Sequence, residues 1–319
     1  MYFKKSIKLL SYFSALLFFI SSCAQQPIKR RGNGYTQRVA PAYGQQKTND
    51  MFSPIKKKVA LLMLFNESPF GKEDLAVVAT EELRREMAKT SDFVLDPEAS
   101  SMFGSSKEIY AGGGLKLAQL SRKAKLSGVS LVLFGRITHA RVRQKSDEIG
   151  FVRKTKSYAE SVVELRVFDV LANKEIFIEK MDGNINDSSF RFFMSQRDAH
   201  VDYRRGLLRY SVKVAIRRFI PKLAKLGEKL DWTGRVAKII GSKIYVNAGR
   251  QSGLNLGDIL KVMTEVQEIY DPESGALLGV SKGEVKGTLE IVDYFGPDGA
   301  VAILHSGGTV TEGDFVQLY

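Results

Sequence analysis

Val59-Ala60-Leu61-Leu62-Met63-Leu64-Phe65 is an unbroken apolar run stopped by Asn66-Glu67-Ser68-Pro69. Without polar alternation it has no solvent-facing side, which predicts a strand covered on both faces. Such a strand needs a layer above and a layer below, and the following segments supply them. Leu75, Val78, Ala79, Leu83 and Met87 recur at helical spacing, with Glu81, Glu82, Arg84, Arg85 and Lys89 assigned to the other side. Phe93-Val94-Leu95 reads as a short strand, Leu117, Leu120 and Ala124 as a second helix stripe, and Leu131-Val132-Leu133-Phe134 as another buried strand. Helices alternating with buried strands predict crossover units in an α/β layer. Ser161 to Val170 and Glu175 to Met181 predict two more strands joined at Ala172-Asn173-Lys174, with Val163, Leu165 and Val167 alternating against Glu164 and Arg166. Leu208, Val212, Ala215 and Phe219 line a last helix that Pro221 is expected to kink or interrupt.

After Trp232 the grammar changes. Arg235 to Ile240, Lys243 to Val246, Asp258 to Val262, Gly287 to Val292 and Ala300 to Leu304 are short alternating runs separated by Gly, Asn, Asp and Pro. Five or six short strands in this space predict a small antiparallel barrel or sandwich.

The N-terminus addresses the compartment. Lys4, Lys5 and Lys8 precede an uncharged apolar stretch, Leu9 to Ile20, shorter than the roughly 20 residues a bilayer span needs. It ends in Ile20-Ser21-Ser22-Cys23, which resembles the lipobox of bacterial lipoproteins, and Cys23 is the only cysteine. The resemblance implies diacylation of Cys23 and cleavage before it. An acylated Cys23 leaves no thiol for a disulfide, a nucleophile or a metal, while two or three acyl chains anchor stably. Ala24 after the cysteine implies, by resemblance to lipoprotein sorting, the outer membrane with the folded part on its periplasmic face. Ala24 to about Ser53 is rich in Gln, Pro, Gly and basic residues without apolar periodicity, and reads as a tether. About thirty flexible residues reach roughly 30 Å on average. The expected organisation is a signal peptide at 1–22, a tether at 23–55, an α/β domain at 56–229 and a small β-barrel domain at 230–319.

Formal net charge is +13, and removal of the signal peptide takes away three lysines and no acid. A cytosolic chain with this excess would point to nucleic acid. Export excludes that partner and leaves lipid head groups, lipopolysaccharide and acidic protein surfaces.

Lys58 to Ser68 with the helix after it, and Ser130 to Thr138, resemble the periplasmic α/β domain shared by CsgG, LpoB and the middle of FlgT, a TolB-N-like sandwich of sheet and helices. The tail resembles the C-terminal barrel of FlgT-like flagellar proteins. That match rests on Gly234-Arg235-Val236, Ile244-Tyr245-Val246-Asn247-Ala248-Gly249, Ser252-Gly253-Leu254-Asn255-Leu256-Gly257-Asp258, Asp271-Pro272-Glu273-Ser274-Gly275 and Glu312-Gly313-Asp314. The resemblance implies a non-enzymatic component of an envelope machine, first of all the flagellar basal body. A CsgG-related secretion component and an LpoB-like activator of peptidoglycan synthesis are the alternatives. Membrane attachment through the lipid, envelope or flagellar motor proteins and a homo-oligomer are the partners implied, with no cofactor.

A secretion pore would need apolar hairpins of roughly ten residues per strand. Arg141 to Tyr158 and Asp182 to Tyr203 are too polar for that role, apart from Phe190, Phe192 and Phe193. Gly279-Val280-Ser281-Lys282-Gly283, followed by Asp293 or Asp298 and by His305, satisfies a hydrolase pattern. Its elbow requires a helix after the serine, whereas Glu284 to Val292 reads as a strand. Gly112-Gly113-Gly114 lacks the Lys-Ser/Thr ending of a phosphate loop, and His139, His200 and His305 lack metal-ligand spacing. No catalytic or metal residue is assigned. One charged feature remains. Arg204, Arg205, Arg209, Lys213, Arg217 and Arg218 recur at three- and four-residue spacing on the last helix, which predicts either a solvated face or a basic ridge that docks an acidic partner or an anionic glycolipid.

Overall fold

The computed structural model describes residues 55–111, 114–146, 155–186, 203–264, 268–281 and 283–319, and residues 50–319 belong to one compact unit. The signal peptide, Cys23, the tether, Gly112, Gly113, His200 and the Phe190–Phe193 cluster lie outside the described residues. Among the described residues no helix is long and apolar enough to cross a membrane.

The first part is a mixed sheet between two helical layers. Its strands are β1 (Lys57–Leu61), β2 (Phe65–Asn66), β3 (Phe93–Leu95), β4 (Leu131–Ser146), β5 (Thr155–Asp169) and β6 (Lys174–Asn186). The order is β3-β1-β4-β5-β6, with β2 paired to β4. β1 runs parallel to β3 and β4, and the β4-β5-β6 meander is antiparallel. Because side chains alternate across a strand, the apolar runs divide between two cores. Val59, Leu61, Leu131 and Leu133 face α1 (Lys72–Met87) and a long helix, Tyr203–Lys229, with Leu75, Leu83, Val212 and Phe219. Ala60, Leu62, Val132 and Phe134 face the other side, which α2 (Pro97–Phe103), α3 (Ser106–Ile109) and α4 (Leu117–Ser127) cover with Phe103, Ile109 and Leu120. The long helix, α5, runs through Pro221 without interruption. Pro221 is exposed while Phe219 and Leu223 on either side are buried, so water meets the carbonyl the ring leaves unpaired and packing holds the helix.

The second part is a closed barrel of β7 (Thr233–Ile240), β8 (Lys243–Val246), β9 (Ile259–Met263), β12 (Val285–Phe295), β13 (Gly299–Gly307) and β14 (Phe315–Leu318), in the order β12-β13-β8-β7-β14-β9. Closure leaves no open sheet edge, and Val236, Val246, Leu260, Val262, Leu289 and Val316 fill the interior. β10 (Glu268–Tyr270) and β11 (Leu277–Val280) form a separate two-stranded hairpin between β9 and β12.

Sheet and barrel are bonded to each other. The loop after α4 receives Asn247, whose Nδ2 donates to the Gly128 carbonyl at 2.6 Å, and Ser130 Oγ donates to the Thr233 carbonyl at 2.8 Å. Arg235 donates to the carbonyl of Lys125 and stacks over Phe315. From β1, Lys58 Nζ donates to the Asn247 carbonyl at 2.6 Å and stands 3.4 Å from Asp298. Asp298 in turn accepts from Gly249 N, Ser252 N and Ser252 Oγ.

β5 also carries a buried cluster of ions. Glu164, only 2% exposed, accepts from Arg166 Nε at 2.9 Å and from the Tyr110 hydroxyl at 3.2 Å, with Arg136 and Lys180 each at 3.5 Å. Burial pushes its pKa up, but the Arg166 hydrogen bond and the two guanidinium charges outweigh it and hold the carboxyl below the usual glutamate range. A depressed folded pKa means that this stabilisation is full above the unfolded value of about 4.3 and is lost as pH falls through the folded one. Thermal midpoints measured from about pH 6 to 3 should therefore fall less steeply in Glu164→Gln than in the wild type; parallel curves would contradict the assignment.

Candidate docking surface

α5 is the long helix expected to carry the basic ridge, and its cations separate into two groups. Arg209 points to α1, where its Nε and Nη2 bond both oxygens of Asp74 at 2.7 and 2.6 Å. That hydrogen-bonded pairing holds the Asp74 carboxyl below the ordinary aspartate range. Arg217 donates to Glu82 Oε1 at 2.7 Å, and Arg85 reaches the other oxygen of the same carboxylate. Glu82 was expected on the outer side of α1 and is instead buried. The physical reason is that α1 has two interfaces, one with the sheet and one with α5, and a single hydrophobic stripe reports only the first. Arg218 bonds Asp182 of β6 at 2.6 Å, and Lys222 stands 3.1 Å from Glu179. These four cations join α5 to its neighbours.

At the start of α5 the cations border an opening, and the charge of Arg205 also bears on Asp74. Arg204 and Arg205 are exposed and line a cavity of about 500 Å³ with Lys72, Asp74, Phe70, Gly71, Val142 and Leu208. Lys213 lies two turns further on, half-buried. Sequence and backbone build the cavity together. Gly71 takes φ 78° to start α1 and bonds no side chain to the helix start. A Cβ there would sit 2.3 Å from Leu75 Cγ, so glycine is required by both conformation and space. Asn66 Nδ2 donates to the carbonyls of Phe70 and Lys72, fixing the loop that carries Lys72. With Asp74 engaged by Arg209, Lys72, Arg204 and Arg205 surround an opening whose walls are Phe70, Val142 and Leu208. Such a site can take a carboxylate, phosphate or sulfate beside an apolar group. Lys72 was not among the residues singled out from sequence, because it belongs to another helix.

The hydrolase pattern meets a strand where its elbow calls for a helix. Ser281 follows β11 and leads into strand β12 instead of a helix. Asp298 is committed to the Gly249–Ser252 turn, and His305 Nδ1 stands 3.6 Å from Glu290. Gly114 has open space around it. Among the described residues no group of three His, Cys, Asp or Glu could hold a metal ion.

No protein-family model and no curated protein matches the chain. Similar solved structures include the hypothetical protein CT253 from Chlamydia trachomatis, 17% identical over 55% of this chain and 100% of that one, with a TM-score of 0.36. The LpoB C-terminal domain from Salmonella enterica is 16% identical over 41% of this chain and 84% of that one, with a TM-score of 0.26. Lipoprotein GNA1162 from Neisseria meningitidis is 13% identical over 41% and 83%, with a TM-score of 0.27. At these identities and scores the likeness carries no conclusion about what this chain does.

Proposed function

We propose that the chain is a lipoprotein of the bacterial envelope, acylated at Cys23, tethered to the outer membrane on its periplasmic face, and that it works as a non-enzymatic assembly component. The observation that carries the docking role is the cavity lined by Phe70, Val142 and Leu208 and by Lys72, Arg204 and Arg205, where Asp74, the one acid among its described lining residues, is bonded by Arg209. The partner this chemistry fits is an acidic protein surface with an apolar knob. An exposed cationic rim steers such a partner and fixes its register. The flagellar basal body is the first assembly in which to seek it, because the tail turns resemble those of FlgT-like proteins. A CsgG-related secretion system and LpoB-like activation of a peptidoglycan synthase are the alternatives.

Reversal of Lys72, Arg204 and Arg205 to Glu should lower partner recovery at least about tenfold and flatten its dependence on salt. The same reversal at Lys222, which stands 3.1 Å from Glu179, should do far less. Unchanged recovery and an unchanged salt slope in the triple variant would remove the cavity from the proposal.

A further inference from the structure

The β10–β11 hairpin stands apart from the barrel ladder as a two-stranded sheet of its own. A hairpin alone in water is marginally stable, yet this one leaves Ile269, Tyr270 and Leu278 49%, 52% and 65% exposed. Its tip is nevertheless firmly shaped. Asp271 Oδ1 accepts from Ser274 N at 2.6 Å, Ser274 Oγ at 2.8 Å and Glu273 N at 3.1 Å, while Gly275 closes the turn at φ 66°. A preformed tip loses little freedom on binding. Its charge is also out of keeping with the chain. Glu265 to Glu284 carries five acids, Glu265, Glu268, Asp271, Glu273 and Glu284, against one base, Lys282, in a protein of net charge +13.

Apolar side chains flanked by acids are the complement of the cavity at the start of α5, where Phe70, Val142 and Leu208 are flanked by Lys72, Arg204 and Arg205. α5 has 27 residues, a length of about 40 Å. The barrel begins at Thr233, directly after the other end of that helix. The cavity and the barrel therefore sit at opposite ends of α5, which separates a hairpin from the cavity of its own chain. We infer that the β10–β11 hairpin of one copy docks into the Lys72–Arg204–Arg205 cavity of a second copy, head to tail. A contact between two different patches propagates into a ring or a filament and does not stop at a symmetric pair. The inference rests on the docking role of the cavity and names its acidic partner as the chain itself.

The test uses two differently tagged full-length copies expressed together in cells. In one arm, a copy carrying Glu273→Cys is paired with a copy carrying Arg204→Cys; the native sequence has only Cys23. A disulfide-linked species containing both tags is expected, and its absence under oxidising conditions counts against the contact. In the second arm, Glu268→Lys/Glu273→Lys alone, or Arg204→Glu/Arg205→Glu alone, should lower copy-to-copy recovery at least about tenfold. Mixing the two variants restores it, because the reversed hairpin then meets a reversed cavity. That restoration also demonstrates that both variants fold. Recovery unaffected by either reversal, or lost without restoration on mixing, overturns the inference. If cavity reversal releases a different envelope protein while copy-to-copy recovery is unchanged, the docking role stands and self-association is the part that fails.

Discussion

Gly183→Ala should lower the thermal midpoint of the folded unit by about 6 to 12 °C, a loss of about 3 kcal/mol. Gly183 lies on β6 opposite Ser161 of β5, where α5 packs against the sheet. An added Cβ would meet the Ser211 carbonyl oxygen at 1.9 Å and the Ala215 nitrogen at 2.9 Å, both of them backbone. No side-chain rotation relieves such a clash, so the helix itself must move. Ser161, Ser211 and Ala215 around the contact are at most 1% exposed, and Val212, Ile216 and Phe219 on the same helix are buried in the sheet core. Displacing α5 by even part of an ångström disturbs all of them, because protein interiors are close-packed. Thermal and urea melts of the purified variant check this, and a midpoint within about 1 °C of the wild type would contradict the close approach.

Asp298→Ala should cost about 3 to 5 kcal/mol and divide one unfolding transition into two. The carboxylate answers Gly249 N at 2.9 Å, Ser252 N at 2.9 Å and Ser252 Oγ at 2.6 Å, and it faces Lys58 of the sheet at 3.4 Å. Removing it leaves a cation only 15% exposed with Asp96, 4.0 Å away, as its nearest remaining acid, and strands two backbone donors. The turn it organises also presents the Ser252 carbonyl to Lys56 N. Without it the hold of the barrel on β1 falls back on the Lys58–Asn247 bond, while the sheet cores and the barrel core stay intact. Calorimetry should then resolve barrel and sheet melting separately; a single transition at the wild-type temperature would mean that the remaining bonds of Lys58, Ser130, Arg235 and Asn247 suffice to join the two.

The sequence made legible those features that a single element specifies. Val59–Leu62 and Leu131–Phe134 read as doubly covered because each sends alternate residues into a different core, but the expected single strand to Phe65 divides, since β1 ends at Leu61, Met63 is exposed and Phe65 opens β2. The turn at Asn173 is recognisable because it needs positive φ, which it takes at 50°. What stayed hidden depends on pairs of distant elements. Arg209 and Asp74 are 135 residues apart, as are Arg217 and Glu82, so a helical wheel drawn on α5 alone counts these arginines as ridge residues when they serve the α1 interface. Lys72 joins the cavity only through the fold. β10, β11 and β14, three or four residues each, adjoin Asp, Glu, Gly and Pro turn residues, so the sequence around them reads as loop. Several residues of the tail turns, Arg235, Asn247 and Ser252, are among those that bond the barrel to the first part of the chain. The turn pattern thus records a junction between two layers as well as the turns themselves.

The central claim is a lipid-tethered assembly component, and crosslinking of the tagged full-length protein in intact cells, beside a Cys23→Ser control, tests it most directly. The expected result is recovery of envelope assembly proteins, flagellar ring or motor components first, from the membrane fraction of the wild type, with that recovery lost or reduced in the control. A peptidoglycan synthase or secretion component in their place would replace the basal-body reading and keep the scaffold. A wild-type protein that fractionates and crosslinks just as Cys23→Ser does, with no envelope component recovered from either, would contradict the account.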